Sequence, residues 1–320
     1  MSQINPLDLT YTYTVGFDHG VPSPPQAYPS HGGTAMAKSV STATKDTYKK
    51  LDSTLQSPAV RQFNADLSAK IVGQPEAVNA LVAAYQTYSA GLNPSGRPVS
   101  ILLLAGPTGV GKTRSVEASA ELLLGSPQAV TKVNCAEYHL PHETAKLIGA
   151  PPGYIGHREG APLLTQESVD QYHTSRCQLS FVLFDEIEKA NETLWQLMLG
   201  ILDKAQLTLG DNRRVDFSKC IIAMTSNLGA REMDDVLSGS SIGFTHQAAS
   251  DSRLSETVIN QIRRRFTPEF INRVDRTVVF NRLDRSHMSK ILQIELDAVQ
   301  NRIFLASSTK SMPIFVLKWT

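Results

Sequence analysis

The sequence is poor in the features that mark several classes of protein. It has three cysteines, Cys135, Cys177 and Cys220, whose spacing fits neither a metal site nor a disulfide framework. We expect them to be small buried residues in a reducing compartment. The net charge of +1 gives no support to a nucleic-acid partner or an anionic membrane surface. No apolar run is long enough to cross a bilayer, and no signal peptide is recognisable, so we expect a cytoplasmic protein without a membrane partner.

Residues 1–58 differ in composition from the rest of the chain. Their prolines stand among Ser, Thr, Gly and Tyr without a sustained period: Pro6, Pro22, Pro24, Pro25, Pro29 and Pro58. Such a segment cannot bury enough apolar surface to offset its ordering entropy. We therefore expect a largely disordered arm rich in Pro, Ser and Thr, with a helix from about Thr44 to Leu55 as its one candidate element.

One eight-residue stretch has the pattern G-x-x-x-x-G-K-[ST]. It reads Gly106-Pro107-Thr108-Gly109-Val110-Gly111-Lys112-Thr113 and stands between a strand-like run and a helix-like run. A phosphate-binding loop requires this context, because the backbone N–H groups and the helix N terminus attract phosphate oxygens. We expect Lys112 to reach the β- and γ-phosphates and the Thr113 hydroxyl to ligate Mg²⁺. The sequence thus predicts that these eight residues bind a nucleoside triphosphate.

Two acids follow a short apolar run further along the chain. Phe181–Phe184 is typical of a buried parallel strand, and Asp185 and Glu186 come directly after it. Ligands of open α/β sheets bind at this carboxyl edge. We expect Asp185 to hold Mg²⁺ and Glu186 to deprotonate the attacking water. The alternative is that both acids only begin a helix, where acids are favoured.

From about Val60 onward, strand-like and helix-like runs alternate. Strands are predicted at Val99–Ala105, Ala129–Cys135, Phe181–Phe184, Lys219–Thr225 and Thr277–Phe280. Helices are predicted at Glu76–Ala90, Thr113–Leu124, Glu143–Ile148, Leu163–Tyr172, Glu192–Asp203 and Ser286–Phe304. A hairpin is predicted at the turn-like Gly210-Asp211-Asn212. The alternation indicates an α/β fold with a parallel sheet between layers of helices.

Several motifs, in order and spacing, resemble those of one family. They are Ile71-Val72-Gly73-Gln74, the phosphate loop, Gly149-Ala150-Pro151-Pro152-Gly153-Tyr154-Ile155-Gly156, Phe184-Asp185-Glu186-Ile187-Glu188-Lys189-Ala190, Met224-Thr225-Ser226-Asn227-Leu228-Gly229, and Phe266-Thr267-Pro268-Glu269-Phe270-Ile271-Asn272-Arg273-Val274-Asp275. Over about two-thirds of its length the chain resembles the C-terminal ATPase module of the Clp heat-shock ATPases, AAA+ unfoldases of the ClpA, ClpB and ClpC type. The resemblance implies an AAA+ P-loop NTPase fold.

The resemblance also implies roles for single residues near the nucleotide. Asn227 becomes sensor 1, although a turn or a helix cap is the usual role of an asparagine. Arg273 becomes the arginine finger that acts on the neighbouring subunit. Arg263, Arg264 and Arg265 by themselves indicate a solvated basic face. Ile71 and Val72 would pack against the adenine, although two apolar residues before a glycine are as often part of a core.

Three further segments resemble parts of the family that contact partners. Tyr154 lies in a Gly- and Pro-rich segment, and the resemblance implies a pore loop of a hexameric ring that grips unfolded or aggregated polypeptide. The alternative is a tyrosine folded back onto its own domain. The hairpin at residues 210–212 resembles a second pore loop. Ile242-Gly243-Phe244 resembles the tripeptide with which some members dock a Clp-type peptidase.

One element of the family is missing from the sequence. The family lid carries a Gly-Ala-Arg whose arginine is sensor 2, but the only Gly-Ala-Arg here, at residues 229–231, directly follows Asn227. We therefore expect a large α/β subdomain over residues 59–283 and an incomplete helical lid over residues 284–320. The leading hypothesis is an ATP-driven unfoldase or disaggregase subunit. The alternative is an ATP-binding assembly or regulatory module with weak turnover.

Overall fold

A computed structural model describes residues 56–149, 162–230, 232–233 and 247–307. In chain order, the described strands are β1 (Ser100–Ala105), β2 (Thr131–Asn134), β3 (Ser180–Asp185), β4 (Gln206–Thr208), β5 (Arg214–Asp216), β6 (Cys220–Ser226) and β7 (Arg276–Val279). Within these residues, one sheet has the order β2-β3-β6-β1-β7, and every pair in it is parallel. The strands β4 and β5 form a separate antiparallel hairpin. The sheet and the hairpin were both predicted from the sequence.

The helices connect the strands in the order that a parallel sheet requires. They are α1 (Pro58–Lys70), α2 (Pro75–Ser89), α3 (Lys112–Leu124), α4 (Ala145–Ile148), α5 (Gln166–Asp170), α6 (Glu192–Lys204), α7 (Gln247–Arg265), α8 (Pro268–Ile271) and α9 (Arg285–Ser307). Short 3₁₀ turns lie at Cys135–Glu137, Pro141–Thr144 and Ile187–Lys189. Among the described residues, no helix has the length and apolar character needed to cross a membrane.

Apolar side chains cover both faces of the sheet. Successive side chains of a strand point to opposite faces, so β1 sends Ile101 and Leu103 into one core and Leu102 and Leu104 into the other. The first core also contains residues of α6 and α7, and the second contains residues of α1, α2 and α3. This double burial explains why β1 and β3 are continuous apolar runs in the sequence.

Three helices were not predicted from the sequence. In α1, the Ser57 hydroxyl accepts a hydrogen bond from the Val60 N–H at 3.3 Å, and Val60, Phe63 and Leu67 are buried. These positions have helical spacing, which is the signal that could have identified α1. In α7, Leu254, Val258 and Ile262 join the core of the sheet at every fourth position, which is also a helical spacing. The helix α8 is only one turn long.

Other differences are small. The strand β2 and the helix α5 are shorter than predicted, while α9 is close to the predicted helix at 286–304. The predicted helix at 44–55 and nearly all of the predicted arm lie outside the described residues. All three cysteines are buried and free, as expected. Burial raises the pKa of the Cys135 and Cys220 thiols, because it disfavours the thiolate.

Candidate active site

The phosphate-loop motif lies between the carboxyl end of β1 and the start of α3. Gly106 has φ +145°, and a Cβ atom built on it would lie 2.7 Å from the carbonyl oxygen of Phe280, so only glycine fits. Gly109 and Gly111 also have positive φ, but added Cβ atoms there would meet nothing within 4 Å. Within the described residues, no side chain caps the N terminus of α3. The loop and the first N–H groups of α3 therefore face open space.

Lys112 is held inside this loop. It is only 8% exposed, and its Nζ donates hydrogen bonds to the carbonyl oxygens of Gly106 and Pro107, both at 2.7 Å, and to Oδ1 of Asn227 at 2.9 Å. Burial lowers the pKa of Lys112, whereas the nearby carboxylates, led by Glu188, act in the opposite direction. These three acceptors fix the position of the Lys112 ammonium within the loop.

The two predicted acids lie at the carboxyl end of β3. Oδ1 of Asp185 accepts hydrogen bonds from the hydroxyls of Thr113, at 3.4 Å, and of Thr225. Glu186 has the left-handed φ of +57°, which is uncommon for a residue other than glycine. Its carboxylate accepts from Nδ2 of Asn227 at 3.2 Å and from Nζ of Lys189 at 2.7 Å. Both carboxylates therefore belong to one network with the phosphate loop.

Asn227 follows β6, the strand between β3 and β1. Its backbone N–H donates a hydrogen bond to Oε1 of Glu188 at 3.0 Å, and this bond fixes the backbone of Asn227. Thr225 precedes it in β6, and its hydroxyl accepts a hydrogen bond from the N–H of Glu186 at 3.0 Å. Sequence reasoning missed Thr225, although its place in the Met-Thr-Ser-Asn segment was a usable signal. The structure brings Asn227 to the acids rather than leaving it as a helix cap.

These residues surround one polar cavity of about 330 Å³. Its lining consists of Thr108, Gly109, Gly111, Lys112, Thr113, Arg114, Asp185, Glu186, Thr225 and Asn227. The described residues contain no group of three or more His, Cys, Asp or Glu side chains suited to a metal. The Thr113 hydroxyl and the Asp185 carboxylate are nevertheless hard oxygen ligands on one side of the cavity. Mg²⁺ commonly uses one or two such ligands together with phosphate oxygens and water.

A second cavity of about 200 Å³ adjoins the first. Its lining consists of Lys70, Ile71, Val72, Gly109, Val110, Gly111, Arg114, Leu283, Ile291, Ile294 and Glu295. Ile71 is buried in the core of α1 and α2 and also lines this cavity, so its two expected roles are compatible. Ile291 and Ile294 reach the cavity from α9. A cavity of this apolar character suits a flat base, and its place beside the phosphate loop suits the base of a nucleotide.

Arg273 lies at the opposite edge of the sheet. Two residues further on, the backbone N–H of Asp275 donates to the carbonyl oxygen of Ile101 at 2.9 Å, near the start of β1, whereas the phosphate loop follows the end of β1. The four residue steps from Ile101 to Ala105 span roughly 13 Å. The guanidinium of Arg273 forms an ion pair with Asp203 near the end of α6. Arg273 is therefore not part of the polar cavity of its own chain.

Arg265 makes contacts that a solvated arginine would lack. Its Nε and Nη2 donate to the carbonyl oxygen of Glu188 at 3.2 and 2.7 Å, and its guanidinium lies 4.5 Å from the ring centre of Trp195. The indole N–H of Trp195 donates to the carbonyl oxygen of Ile187 at 3.1 Å. Both side chains thus brace the turn that follows Glu186. Arg265 is exposed, as a solvated basic face would have it, but the sequence did not predict these contacts.

Two sequence predictions concern residues that the structure does not describe. Tyr154 lies within residues 150–161, and Ile242-Gly243-Phe244 lies within residues 234–246. The hairpin that resembles a second pore loop is described, and Arg213 pairs there with Asp211 at 2.7 Å between Nε and Oδ2. The pore-loop and docking roles of these segments stay predictions.

Similarity to known proteins shows the family of the chain. A family model described as AAA domain (Cdc48 subfamily) matches residues 97–277. Chaperone protein ClpB 2 of Synechocystis sp. is 39% identical over 241 residues, which are 74% of this chain and 26% of that protein. The Bacillus subtilis protein named negative regulator of genetic competence ClpC/MecB is 36% identical over 239 residues, which are 74% of this chain and 28% of that protein.

Solved structures of Hsp104 resemble the chain as well. The S. cerevisiae Hsp104:casein complex in its extended conformation matches with a TM-score of 0.64 and 31% identity, over 78% of this chain and 40% of that one. A closed state of Hsp104 with ATPγS and FITC casein matches equally, over 76% and 39%. The chain spans about a quarter of the length of the curated relatives that it matches. Because the family model covers more than half of the chain, the chain belongs to the AAA domain family, as a Clp-type AAA+ ATPase module.

Proposed function

We propose that this chain binds ATP with Mg²⁺ and hydrolyses the ATP. The observation that carries the proposal is the convergence of Lys112, Thr113, Asp185, Glu186 and Asn227 on one cavity beside an uncapped helix N terminus. The open loop glycines and the N–H groups of α3 suit phosphate oxygens. The adjoining apolar cavity suits the adenine. Each part of a nucleotide therefore meets residues of matching chemistry.

Each residue has a role that follows from its contacts. Lys112 is poised to exchange acceptors of its own loop for phosphate oxygens. Thr113 and Asp185 would hold Mg²⁺, which supplies positive charge against the phosphate oxygens. Glu186 would accept a proton from the attacking water, and Asn227, which already bonds Glu186, would orient that water. Hydrolysis needs phosphate binding, Mg²⁺ binding, a proton acceptor and an oriented water at one place. The residues proposed for these functions lie together at the carboxyl edge of the sheet.

The test of hydrolysis is Glu186→Gln. The amide keeps the size of the side chain but cannot accept the proton, so we expect ATP affinity to stay within about threefold while turnover falls by roughly 100-fold or more. Glu192→Gln, an exposed acid at the start of α6, is the matched control and should leave both values unchanged. Turnover of the Glu186→Gln variant at the wild-type rate would contradict the proposal. Binding without turnover in the wild type would favour the assembly or regulatory module.

We also propose that the chain is a chaperone subunit that forms a ring, hexameric by likeness to its family, and that the ring threads polypeptide through its pore. The likeness to ClpB and ClpC, and to Hsp104 structures that contain casein, supports this function. The place of Arg273 supports it too, because this residue lies outside its own cavity and a neighbouring subunit could use it. Tyr154 would grip the polypeptide, and Ile242-Gly243-Phe244 would dock a Clp-type peptidase.

The test of threading uses mass and substrate processing together. With ATP bound to the Glu186→Gln variant, we expect a mass in solution near that of six subunits. Tyr154→Ala should keep its ATPase activity and lose the processing of unfolded casein, because the bulky ring is the gripping group. Leu92→Ala, which removes an exposed apolar side chain outside the proposed pore segment, is the control. A chain that stays monomeric with ATP, or a Tyr154→Ala variant that processes casein normally, would contradict this function.

A further inference from the structure

The polar and apolar cavities meet at a shared wall. Three residues line both of them: Gly109, Gly111 and Arg114. Two of these are glycines, so Arg114 supplies the only side chain that the described residues place at the junction. Arg114 is the third residue of α3 and follows the phosphate-loop residues Lys112 and Thr113. Neither the sequence motif nor the resemblance assigns a function to this side chain.

The contacts of Arg114 leave its guanidinium loosely held. Its Nη2 lies 3.6 Å from Oε2 of Glu121, an ion-pair distance that is too long for a good hydrogen bond. The other oxygen of that carboxylate, Oε1, already accepts a 2.7 Å hydrogen bond from Nζ of Lys70. Glu121 therefore keeps a strong cationic partner if Arg114 turns away. The side chain of Arg114 is also 43% exposed, so little packing opposes its movement.

Lys112 is bound quite differently. Its three hydrogen bonds hold it within the phosphate loop, where it lines the polar cavity together with Asp185 and Asn227. Lys112 does not line the apolar cavity, whereas Gly109 and Gly111 line both cavities. A nucleotide that places its base in the apolar cavity and its terminal phosphates beside Lys112 must pass its α-phosphate across this junction. An anion at that point meets the guanidinium of Arg114.

We propose that Arg114 binds the α-phosphate of the nucleotide through its guanidinium. The inference rests on the proposed nucleotide site and adds to it a second cation with a different target from Lys112. A guanidinium presents N–H donors in a planar fork that matches phosphate oxygens, and charge-assisted hydrogen bonds of this kind are strong. On binding, Arg114 leaves Glu121, which remains paired with Lys70.

The test is the affinity of the full chain for AMP, for ADP and for the non-hydrolysable AMP-PNP, measured by calorimetry. Arg114→Ala should weaken all three ligands by about the same factor, roughly tenfold for one lost charge-assisted hydrogen bond, because the α-phosphate is the one phosphate that all three share. Arg114→Lys should recover part of the loss. Arg61→Ala, an exposed arginine on α1, should bind as the wild type does.

A second variant separates binding from a structural role. If Arg114 serves only to stabilise α3 through Glu121, then Glu121→Gln and Arg114→Ala remove the same interaction and should weaken binding alike. If Arg114 binds nucleotide, Glu121→Gln frees the guanidinium from its competing carboxylate and should leave the affinity equal to or above that of the wild type. The thermal midpoint of each variant shows whether it is folded.

Four results would overturn the assignment. Equal affinities of Arg114→Ala and the wild type would show that Arg114 makes no contact with the nucleotide. A loss for AMP-PNP alone would place the guanidinium at the terminal phosphate, and a loss for ADP and AMP-PNP but not for AMP would place it at the β-phosphate. A loss that disappears with 2′-deoxy-ADP would place it at the ribose hydroxyl. Failure of the proposed nucleotide site looks different, since the wild type itself would then bind neither ADP nor AMP-PNP.

Discussion

Nζ of Lys112 donates a 2.9 Å hydrogen bond to Oδ1 of Asn227, which lies 115 residues further along the chain. The same amide donates through Nδ2 to Glu186, at 3.2 Å. The strand β6, which ends just before Asn227, lies between β3 and β1 in the sheet, so the amide falls between the acid and the phosphate loop. One side chain thus joins the cation of the loop to the proposed base.

This relationship predicts the effect of Asn227→Ala. Lys112 keeps its two carbonyl acceptors, so nucleotide affinity should change by less than about threefold, whereas turnover should fall by roughly 100-fold when a polar group aimed at the reacting water is lost. Calorimetry and a steady-state ATPase assay give the two values. Equal losses in affinity and turnover would show instead that Asn227 supports the loop.

The glycines of the loop predict different costs for the same substitution. Gly106→Ala places a Cβ atom 2.7 Å from the Phe280 carbonyl oxygen, whereas Gly109→Ala adds a methyl group to open space at φ +78°. Gly109→Ala should lower the free energy of unfolding by about 1–2 kcal/mol, the cost of left-handed backbone for alanine. Gly106→Ala should cost at least about 1 kcal/mol more. Urea unfolding of both variants tests whether Gly106→Ala costs more than Gly109→Ala. Equal costs would mean that the Phe280 backbone moves away from the added methyl group without a loss of stability.

The ion pair between Asp203 and Arg273 predicts coupled effects on turnover. If Asp203 positions Arg273 for a neighbouring subunit, Asp203→Asn and Arg273→Ala should each lower the ATPase activity of the assembled protein and leave nucleotide affinity unchanged. The double variant should turn over ATP no more slowly than Arg273→Ala alone, because both substitutions remove the same function, the positioned guanidinium of Arg273. Additive losses in this double-mutant cycle would contradict the positioning role of Asp203.

The contacts of Arg265 predict a stability effect at an exposed position. Arg265→Ala removes a two-nitrogen hydrogen bond to the Glu188 carbonyl and a contact with the Trp195 ring, and should cost about 1–3 kcal/mol. Arg265→Lys should recover little, since an ammonium lacks the planar fork. Arg264→Ala, at the exposed neighbour, should stay within about 0.5 kcal/mol. Urea unfolding measures all three, and a cost of Arg264→Ala equal to that of Arg265→Ala would mean that the contacts contribute nothing.

Sequence patterns identified the parts of this protein whose physics is local. The apolar run of β1, the glycines after it and the helical run of α3 are contiguous, so strand, loop and helix could be predicted together with Lys112 and Thr113. The same holds for β3 with Asp185 and Glu186, because a buried strand and the acids at its end are neighbours in sequence. The βα alternation was enough to predict a parallel sheet, which is the sheet observed.

The functional and stabilising residues that sequence patterns did not identify depend on contacts between distant segments. Arg114 was missed because its importance comes from two cavities that meet beside it, and Ile291 and Ile294 of α9 help to form one of them. Arg265 was missed because its partner carbonyl is 77 residues away.

The amino-acid sequence by itself determined the strands of the sheet, most of the helices and their chemistry, since backbone conformation, apolar period and side-chain type act over a few residues. Only the tertiary structure decided which groups share the site. The strand order β2-β3-β6-β1-β7 brings Asn227 between Glu186 and Lys112, and the parallel pairing of β1 with β7 leaves Arg273 at the far edge. Strand order depends on the packing of whole layers of helices against the sheet, which no local pattern in the sequence encodes.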